Sequence, residues 1–270
     1  MSDATYDPAE PDCTASSGLP DTLNRVAQVT IAFWIMKVLA TTLGETTGDF
    51  LSMTLNLGYY VSFAITFAFL AVILWAKIRS TDYSPSLFWL TIIATTTAGT
   101  EVSDLMDRSL GFGYIWGSIV LVIGLAATLA VWKARHGHLS VEPITKRRVE
   151  TLFWVAVVFS NSLGTAFGDF LTDNLSLSYI QGALITAAII GVVLALHYTT
   201  KINAVLLFWI AFIFTRPFGA TFGDFLTKPL NSGGLNLPRE WASLVTLAAL
   251  GIVLFISTRR GSSEPVRIPE

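Results

Sequence analysis

Apolar residues are concentrated in eight long runs along this chain, and short polar stretches separate the runs. About 20 apolar residues cross a lipid bilayer as an α-helix, and each run is close to that length. The runs are too long for barrel strands and show no alternation with a period of two, so helices are predicted. The predicted helices are 26–49, 58–77, 87–106, 113–133, 149–171, 178–198, 204–227 and 240–258. We therefore predict an all-α, polytopic membrane bundle of eight transmembrane helices.

A sequence motif recurs in every second run. It begins with Phe-Trp and ends with an aspartate, at residues 33–49, 88–104, 153–169 and 208–224. The copies begin 55, 65 and 55 residues apart, so the first two copies recur as a block in the last two. Since each repeat holds an even number of helices, all four copies point the same way across the membrane. The sequence predicts four parallel two-helix repeats arranged as a duplicated block.

Composition supports the membrane assignment and excludes other classes of protein. Hydrophobic residues make up 53% of the 270 residues, charged residues make up 13%, and the mean hydropathy is +0.61. These values are too apolar for a soluble domain of this length. The formal net charge of −2 gives no basic footprint for nucleic acid. The single cysteine, Cys13, excludes a disulfide framework and a thiolate metal site.

Polar segments delimit one membrane domain. Residues 1–24 are rich in Asp, Pro, Ser and Thr and lack the features of a signal peptide, so we expect a disordered tail. The longest internal connection is polar and contains Pro143, which is typical of a linker between halves. The predicted organisation is a disordered cytoplasmic tail at 1–24, a single membrane domain at 25–260 with halves at 25–133 and 149–260 around a cytoplasmic linker at 134–148, and a C-terminal tail at 261–270.

Basic residues in the loops predict the orientation of the bundle. Ten of them lie between repeats or after the last helix, whereas the loops inside the repeats hold only Arg108, Lys228 and Arg239. By the positive-inside rule, this asymmetry places both termini in the cytoplasm. The four Phe-Trp pairs would then lie near the cytoplasmic interface, where amphipathic indole rings are common.

The motif places polar residues at equivalent positions inside segments that are predicted to span the membrane. Lys37, Thr41, Glu45 and Asp49 are spaced by four and therefore share one face of the first helix. Ionisable residues within a membrane are costly and are usually kept for function, so we expect this face to look toward the bundle interior or a wet cavity. The repeated acids are Asp49, Asp104, Asp169 and Asp224, with Glu45 and Glu101 deeper, and the position eight residues before the aspartate holds Thr41, Thr96, Asn161 and Arg216.

The donor atoms of these residues predict the kind of ligand. Carboxylates, threonine hydroxyls and an amide form an all-oxygen set, which suits Mn²⁺, Mg²⁺, Ca²⁺, Na⁺ or protons. Lys37 and Arg216 are the only bases expected inside the membrane, so we assign them to charge pairing or gating and expect several acids to remain unpaired. No cofactor is predicted. The candidate metal ligands are Glu45, Asp49, Glu101, Asp104, Asp169 and Asp224, and Thr41 and Asn161 are further candidate ion-binding residues.

Two features of the motif also have a structural alternative. The aspartates lie near the ends of the predicted helices, where aspartate often caps the amides of a turn. Small residues four apart, such as Gly44 and Gly48, suit close helix packing, and they also permit a local break that exposes backbone groups to a substrate. Packing is favoured in general, but Pro217 and Pro229 favour a break in the fourth copy.

The fourfold Phe-Trp…Leu-Gly-x-x-x-Gly-Asp-Phe-Leu pattern resembles a bacterial family of membrane-anchored repeat proteins that is catalogued as uncharacterised. Three copies carry Gly-Asp-Phe-Leu outright, at 48–51, 168–171 and 223–226, and the second departs from it at 103–106. The resemblance covers residues 26–258. It implies a repeat architecture and a location in the bacterial inner (plasma) membrane, and it implies no particular activity.

The surplus of intramembrane acids favours a secondary transporter of a small cation, such as the divalent metal manganese, coupled to protons. Acids provide this coupling because metal ligation requires their deprotonation. One alternative is a transporter of an anionic organic solute bound by Arg216 and Lys37, and another is a non-transporting membrane scaffold or sensor whose aspartates cap turns. An enzyme is not expected, since the sequence shows no nucleophile–base pair, phosphate loop or His-rich metal motif. The expected partners are the lipid bilayer and a small cation.

Overall fold

Eight α-helices are formed by the residues that the structure describes, and this part of the chain contains no β-strand. The structure is a computed structural model that describes residues 25–80, 83–137, 139, 144 and 146–261, with side chains to residue 259. The all-α prediction is confirmed. The predicted N-terminal tail, nearly all of the C-terminal tail and linker residues 138, 140–143 and 145 lie outside the described residues. The helices are α1 (Ile31–Asp49), α2 (Gly58–Arg79), α3 (Pro85–Asp104), α4 (Gly113–His136), α5 (Arg147–Asp169), α6 (Tyr179–Thr199), α7 (Ala204–Thr227) and α8 (Arg239–Gly261).

Capping residues determine where several helices begin. The side chain of Thr30 accepts a hydrogen bond from a backbone N–H in the first turn of α1, so this helix begins at Ile31 rather than at residue 26. Ser84 caps α3 in the same way, with Pro85 at the first helical position, where its missing N–H costs nothing. Asn203 accepts from two N–H groups at the start of α7. The predicted boundaries are otherwise correct to within three residues.

The motif helices end differently in the first three copies and in the fourth. α1, α3 and α5 each run directly from the motif aspartate into one π-helical turn, and these turns are Phe50–Thr54, Leu105–Ser109 and Phe170–Asn174. α7 instead remains α-helical to Thr227, and Pro229 follows. The expected break at Pro217 is wrong, because α7 continues through this residue. The proline ring lies against Gly164 of α5, where no side chain obstructs it.

The four motif helices form a ring. α1 packs against α3 and α7, and α5 packs against the same two helices from the opposite side. The remaining four helices lie outside this inner ring, and each packs mainly on the motif helix of the next repeat: α2 on α3, α4 on α5, α6 on α7, and α8 back on α1. The contact of α8 with α1 closes the cycle. The motif helix of every repeat is therefore covered by the outer helix of the repeat before it, and the first repeat is covered by the fourth.

Glycines allow the motif helices to approach closely. A Cβ on Gly99 would lie 2.9 Å from the Cβ of Asn161, and a Cβ on Gly164 would lie 2.5 Å from the Cβ of Arg216. The α-helices continue through these glycines. The structure therefore supports the packing interpretation rather than a local break. The same contact recurs around the ring between the first glycine of one copy and the next copy: Gly44 with Thr96, Gly99 with Asn161, Gly164 with Arg216, and Gly219 with Thr41.

The N-terminal ends of the motif helices meet in a closed circle of eight aromatic side chains, which we call the aromatic ring. Phe and Trp contact each other within each copy, and each Phe also contacts the Trp of the next copy. Three of the four indoles are almost fully buried, so they fill the centre of the bundle at this end. That this end lies near the cytoplasmic interface stays a prediction. The centroid distances between copies are 5.5 Å for Phe33–Trp89, 5.5 Å for Phe88–Trp154, 6.3 Å for Phe153–Trp209 and 5.7 Å for Phe208–Trp34.

Six of the described helices are long and apolar enough to cross a membrane, namely the four outer helices together with α5 and α7. The outer helices bury only 17–22% of their apolar stretch inside the protein, against 56–61% for α5 and α7. Large apolar side chains such as Trp116, Leu184 and Val245 are exposed on the outer helices. An apolar outer surface of this kind indicates contact with lipid. The fold is therefore that of a multi-pass helical membrane protein.

Candidate functional site

The polar face of α1 lies inside the inner ring. Lys37, Thr41, Glu45 and Asp49 are each at most 4% exposed, as the spacing of four predicts. The aromatic ring closes the N-terminal end of this interior, and the motif aspartates lie at the opposite end, where α1, α3 and α5 pass into their π-helical turns. We call the predicted ion-binding residues, together with Lys37 and Arg216, the polar centre.

Three carboxylates from three different repeats converge in the polar centre. Glu45 of α1, Asp169 of α5 and Asp224 of α7 each offer one oxygen, and these oxygens lie within 4.8 Å of one another. All three side chains are buried. A cation such as Ca²⁺ with ligands at about 2.3–2.6 Å spans oxygen–oxygen separations of up to about 5 Å. The three oxygens are thus spaced for one small cation, and we call the three residues that supply them the acid triad.

Arg216 of α7 contacts the acid triad from inside the bundle. Its Nη2 donates to Glu45 Oε2 at 2.8 Å and to the hydroxyl of Thr100, and its Nη1 donates to the carbonyl of Thr41 at 3.1 Å. The guanidinium is fully buried, and its Nε finds no hydrogen-bond partner among the described residues. One side chain therefore connects three of the four motif helices and neutralises one member of the triad.

Arg108 bridges the aspartates of the second and third repeats. It lies in the π-helical turn after α3, where its Nε donates to Asp104 at 3.0 Å and its Nη2 donates to Asp169 at 3.2 Å. Burial acts to lower the pKa of Arg108, but the charges of Asp169 and Asp104 outweigh burial and hold that pKa above its ordinary value. The guanidinium stays charged and joins α3 to α5.

Lys228 makes the equivalent bridge between the fourth and first repeats. Its Nζ lies 3.0 Å from Asp49 and 3.0 Å from Asp224, and Arg239 adds a contact of 3.4 Å to Asp49. Burial acts to lower the pKa of Lys228, but Asp224 and Asp49 hold that pKa above its ordinary value. Since the Lys228 side chain is 15% exposed, this acidic end of the polar centre reaches the surface.

These bridges correct the expected inventory of bases. Lys37 and Arg216 are not the only cations that meet the acids, because Arg108, Lys228 and Arg239 reach them from the loops inside the repeats. In the sequence, those three residues served only as evidence for the orientation of the bundle. Fewer acids are therefore left without a counter-charge than expected.

Three of the four motif aspartates do not act as turn caps. The side chains of Asp49, Asp104 and Asp169 make no capping hydrogen bond at the start of their π-helical turns. Their carboxylates are used in ion pairs between repeats instead. The capping alternative is therefore wrong for these three residues.

Lys37 and the two uncharged candidates are engaged by the protein itself. Lys37 Nζ donates to Asn161 Oδ1 at 3.1 Å and lies 4.2 Å from the centroid of the Phe212 ring. An amide and an aromatic face thus replace the acid that charge pairing predicted. Asn161 in turn donates to the Thr95 hydroxyl at 3.2 Å, and the Thr41 hydroxyl donates to backbone carbonyls. Neither Asn161 nor Thr41 adds an oxygen to the acid triad as the side chains are placed.

Glu101 is a buried acid that is not part of the triad but lies close to it. It is fully buried, and neither of its oxygens has a hydrogen-bond partner among the described residues. It packs where α1 crosses α3, with Oε1 3.4 Å from the position that a Cβ on Gly48 would take, and it is close enough to Asp49 and Glu45 to be repelled by them. Burying an isolated carboxylate is costly, so a side chain of this kind indicates a functional position.

A further buried acid was missed by sequence analysis. Glu150, in the first turn of α5, is fully buried and pairs with Arg25 and, at 3.2 Å, with Lys77. Arg25 also donates to the carbonyl of Ser80 at 2.8 Å, so the cluster fastens the segment before α1 to α2 and α5. The available signal was an acid at the start of the predicted 149–171 helix among many loop cations. This cluster lies at the same end of the bundle as the aromatic ring, away from the acid triad.

The repeat organisation matches a known family. The family model described as Repeat of Unknown Function (DUF347) matches residues 32–83, 87–138, 152–203 and 207–263. The chain belongs to this family. Each DUF347 repeat contains one motif helix and the outer helix that follows it, and that outer helix covers the next repeat. No curated protein and no solved structure matches the chain.

Proposed function

We propose that this DUF347 protein is a secondary transporter of a small cation, with the acid triad as its binding site. The observation that carries the proposal is the convergence of Glu45, Asp169 and Asp224 from three repeats on one buried point. A carboxylate trio inside a membrane bundle is costly to maintain and is typical of ion pathways. The unpartnered Glu101 nearby is a second, independent sign that this interior serves a ligand.

The proposed cargo is a divalent metal such as manganese. Hard divalent cations prefer oxygen ligands, and the triad offers three carboxylate oxygens without a sulfur or imidazole donor. Carboxylates must be deprotonated to bind a metal, so we propose that protons exchange for the cargo. Arg216 acts as an internal counter-charge in this scheme, because it neutralises Glu45 when the cation is absent.

One-sided access supports a transport role. The acidic end of the polar centre is lined by the partly exposed side chains of Arg108 and Lys228. The aromatic ring closes the other end with buried side chains. A central site that opens to one side at a time is the arrangement that alternating access requires.

We further propose that all eight helices span the bacterial inner membrane, with both termini in the cytoplasm. α1 and α3 lie in the inner ring between α5 and α7, which are apolar enough to span, and four outer helices of the same kind surround them. The excess of basic residues at the aromatic-ring end supports the orientation. Transport rather than catalysis is proposed, because the polar centre consists of carboxylates, cations, an amide and hydroxyls, without a histidine or cysteine.

Transport by purified protein in sealed vesicles tests the proposal. The initial rate of Mn²⁺ entry is measured with a dye inside the vesicles for the wild type and for Glu45→Gln, Asp169→Asn and Asp224→Asn. Each substitution removes one anionic ligand, so we expect the rate to fall by at least about tenfold. Asp173→Asn is the matched control, because it makes the same change on a partly exposed acid four residues after Asp169 and should retain transport.

The unfolding midpoint of each variant is measured alongside transport. Folded triad variants that transport Mn²⁺ at the wild-type rate would overturn the proposal. A loss of stability with unchanged transport per folded protein would support a scaffold instead.

A transporter of an anionic organic solute is the second candidate. Lys37 favours it, because this buried cation has an amide and an aromatic ring as partners and no ion pair in the described part of the chain. Arg216 does not favour it, since Glu45 already neutralises that guanidinium. Lys37→Met separates the two candidates: it should abolish uptake of an organic anion, whereas Mn²⁺ transport through the triad should persist.

A further inference from the structure

A basic cavity lies at the end of the molecule opposite the acid triad. Its volume is about 580 Å³, and it opens between the last turn of α4 and the first turns of α5. Arg135 and His136 line it from α4, and Arg148, Thr151 and Leu152 line it from α5. None of these residues takes part in the polar centre, so this cavity is a separate feature from the proposed transport site.

The positive charge in this cavity is not compensated by the described part of the chain. None of the ion pairs among the described residues includes Arg135 or Arg148. The neighbouring acid Glu150 is fully buried and already pairs with Arg25 and Lys77. Two exposed guanidinium groups that face one cavity, with no carboxylate among the described residues that line it, attract an anion.

The chemistry of the cations suits a phosphate group. Guanidinium groups bind phosphate oxygens through paired, charge-assisted hydrogen bonds. The cavity also adjoins the N-terminus of α5, where the N-cap residue Lys146 supplies no side-chain cap. The positive end of this helix dipole therefore adds to the attraction for an anion at the same place.

Apolar residues below the cations indicate that the anion belongs to a lipid. Val131 lies one turn deeper than Arg135 on α4, Val155 lies one turn deeper than Thr151 on α5, and both valines are exposed. α4 and α5 are both candidate membrane spans, and the cavity lies at their polar ends. Basic pockets between spanning helices at a membrane surface are typical binding sites for anionic headgroups.

We propose that this cavity binds the headgroup of an anionic phospholipid, with the phosphate held by Arg135 and Arg148 and an acyl chain lying along α4 and α5. The site is independent of the transport proposal. It gives the bundle a fixed lipid at the junction between its second and third repeats, next to the Glu150 cluster.

Lipid titrations of the delipidated full-length protein in neutral detergent test the proposal. The unfolding midpoint is followed against phosphatidylglycerol, phosphatidylcholine and inorganic phosphate as separate probes. We expect phosphatidylglycerol to raise the midpoint with saturation, whereas phosphatidylcholine and inorganic phosphate leave it unchanged. Arg148→Gln and Arg135→Gln should each raise the half-saturation concentration of phosphatidylglycerol by about tenfold, because each variant loses one charge-assisted hydrogen bond to the phosphate.

Lys133→Gln is the matched control. It removes the same charge from the last turn of α4 at an exposed position outside the cavity lining, so it should bind phosphatidylglycerol like the wild type. Arg148→Lys keeps the charge and guards against an effect of misfolding, and it should retain most of the shift. Equal weakening by Lys133→Gln would show diffuse surface attraction and overturn the proposal. A full shift with inorganic phosphate alone would overturn it in favour of a free anion.

Discussion

The aromatic ring and the polar centre are built on the same four helices, but they use the repeat in opposite ways. Every copy supplies the same Phe-Trp pair to the aromatic ring, and the contacts between copies are nearly alike. In the polar centre, the position eight residues before the motif aspartate differs between the copies. Only the fourth copy has an arginine there, and this residue, Arg216, contacts two other motif helices. Repetition thus closes the bundle, whereas unshared residues determine the chemistry inside it.

The largest expected effect comes from emptying the aromatic ring. Trp154→Ala removes a fully buried indole and should lower the free energy of unfolding by about 3–5 kcal/mol. Trp89→Ala and Trp209→Ala should cost similar amounts, because their surroundings are alike, and Trp34→Ala should cost less, because Trp34 is only half-buried. Reversible unfolding in mixed micelles measures the four values. Unequal costs among the three buried indoles would contradict the equivalence of the copies.

In the polar centre, the substitution of Glu45 should lower the free energy of unfolding in a way that no other copy of the repeat reproduces. Glu45→Gln leaves the buried guanidinium of Arg216 without its counter-charge, so we expect a loss of about 3 kcal/mol in the free energy of unfolding. Arg216→Met added to Glu45→Gln should recover much of the loss, because the unpaired charge is then gone. The same unfolding assay gives both values as a double-mutant cycle.

Glu101→Gln is the control for this cycle. It changes a glutamate that is equally buried but has no hydrogen-bond partner in the described residues, so stability should stay the same or rise. If Glu101→Gln destabilises the protein as much as Glu45→Gln does, the pairing with Arg216 is not what distinguishes Glu45.

A smaller effect on the free energy of unfolding is expected where α5 crosses α7. Gly164→Ala places a Cβ 2.5 Å from the Cβ of Arg216, whereas Gly168→Ala places one 3.2 Å from the Cβ of Ala220. Overpacking of this kind costs about 1–3 kcal/mol, and we expect the upper part of that range at Gly164 and the lower part at Gly168. Unfolding free energies of both variants check this order. The reverse order would mean that the crossing widens near Gly164 at little cost.

Much of the fold was predictable because it depends on local pattern. Apolar runs predicted all eight helices, and the spacing of four from Lys37 to Asp49 predicted the buried face of α1. The cyclic order was not predictable, since nothing in a single repeat shows that its outer helix covers the next one. For the same reason, the sequence predicts six acids as ligands and does not show that Glu45, Asp169 and Asp224 converge.

The pairing of the acids was not predictable because it depends on where loops fold back. Arg108 and Lys228 follow the motif aspartates by four residues, so each pairs within its own repeat by helical spacing. Their second contacts, to Asp169 and Asp49, join different repeats and follow only from the ring. The available signal was a basic residue four positions after Asp104 and after Asp224.

The smallest expected effect marks the edge of the polar centre. Asp173 accepts a hydrogen bond from the Tyr114 hydroxyl at 2.6 Å and lies 3.8 Å from Arg108, and its side chain is 45% exposed. Exposed pairs contribute little, so Asp173→Asn should cost about 0.5 kcal/mol or less. Asp169→Asn makes the same change on a buried carboxylate that contacts the same guanidinium, and it should cost more.

Unfolding at low and high salt separates the two positions, because salt screens the exposed pair and spares the buried one. Asp173→Asn should therefore lose its small effect at high salt while Asp169→Asn keeps its larger one, and equal salt sensitivity would place Asp169 outside the shielded interior.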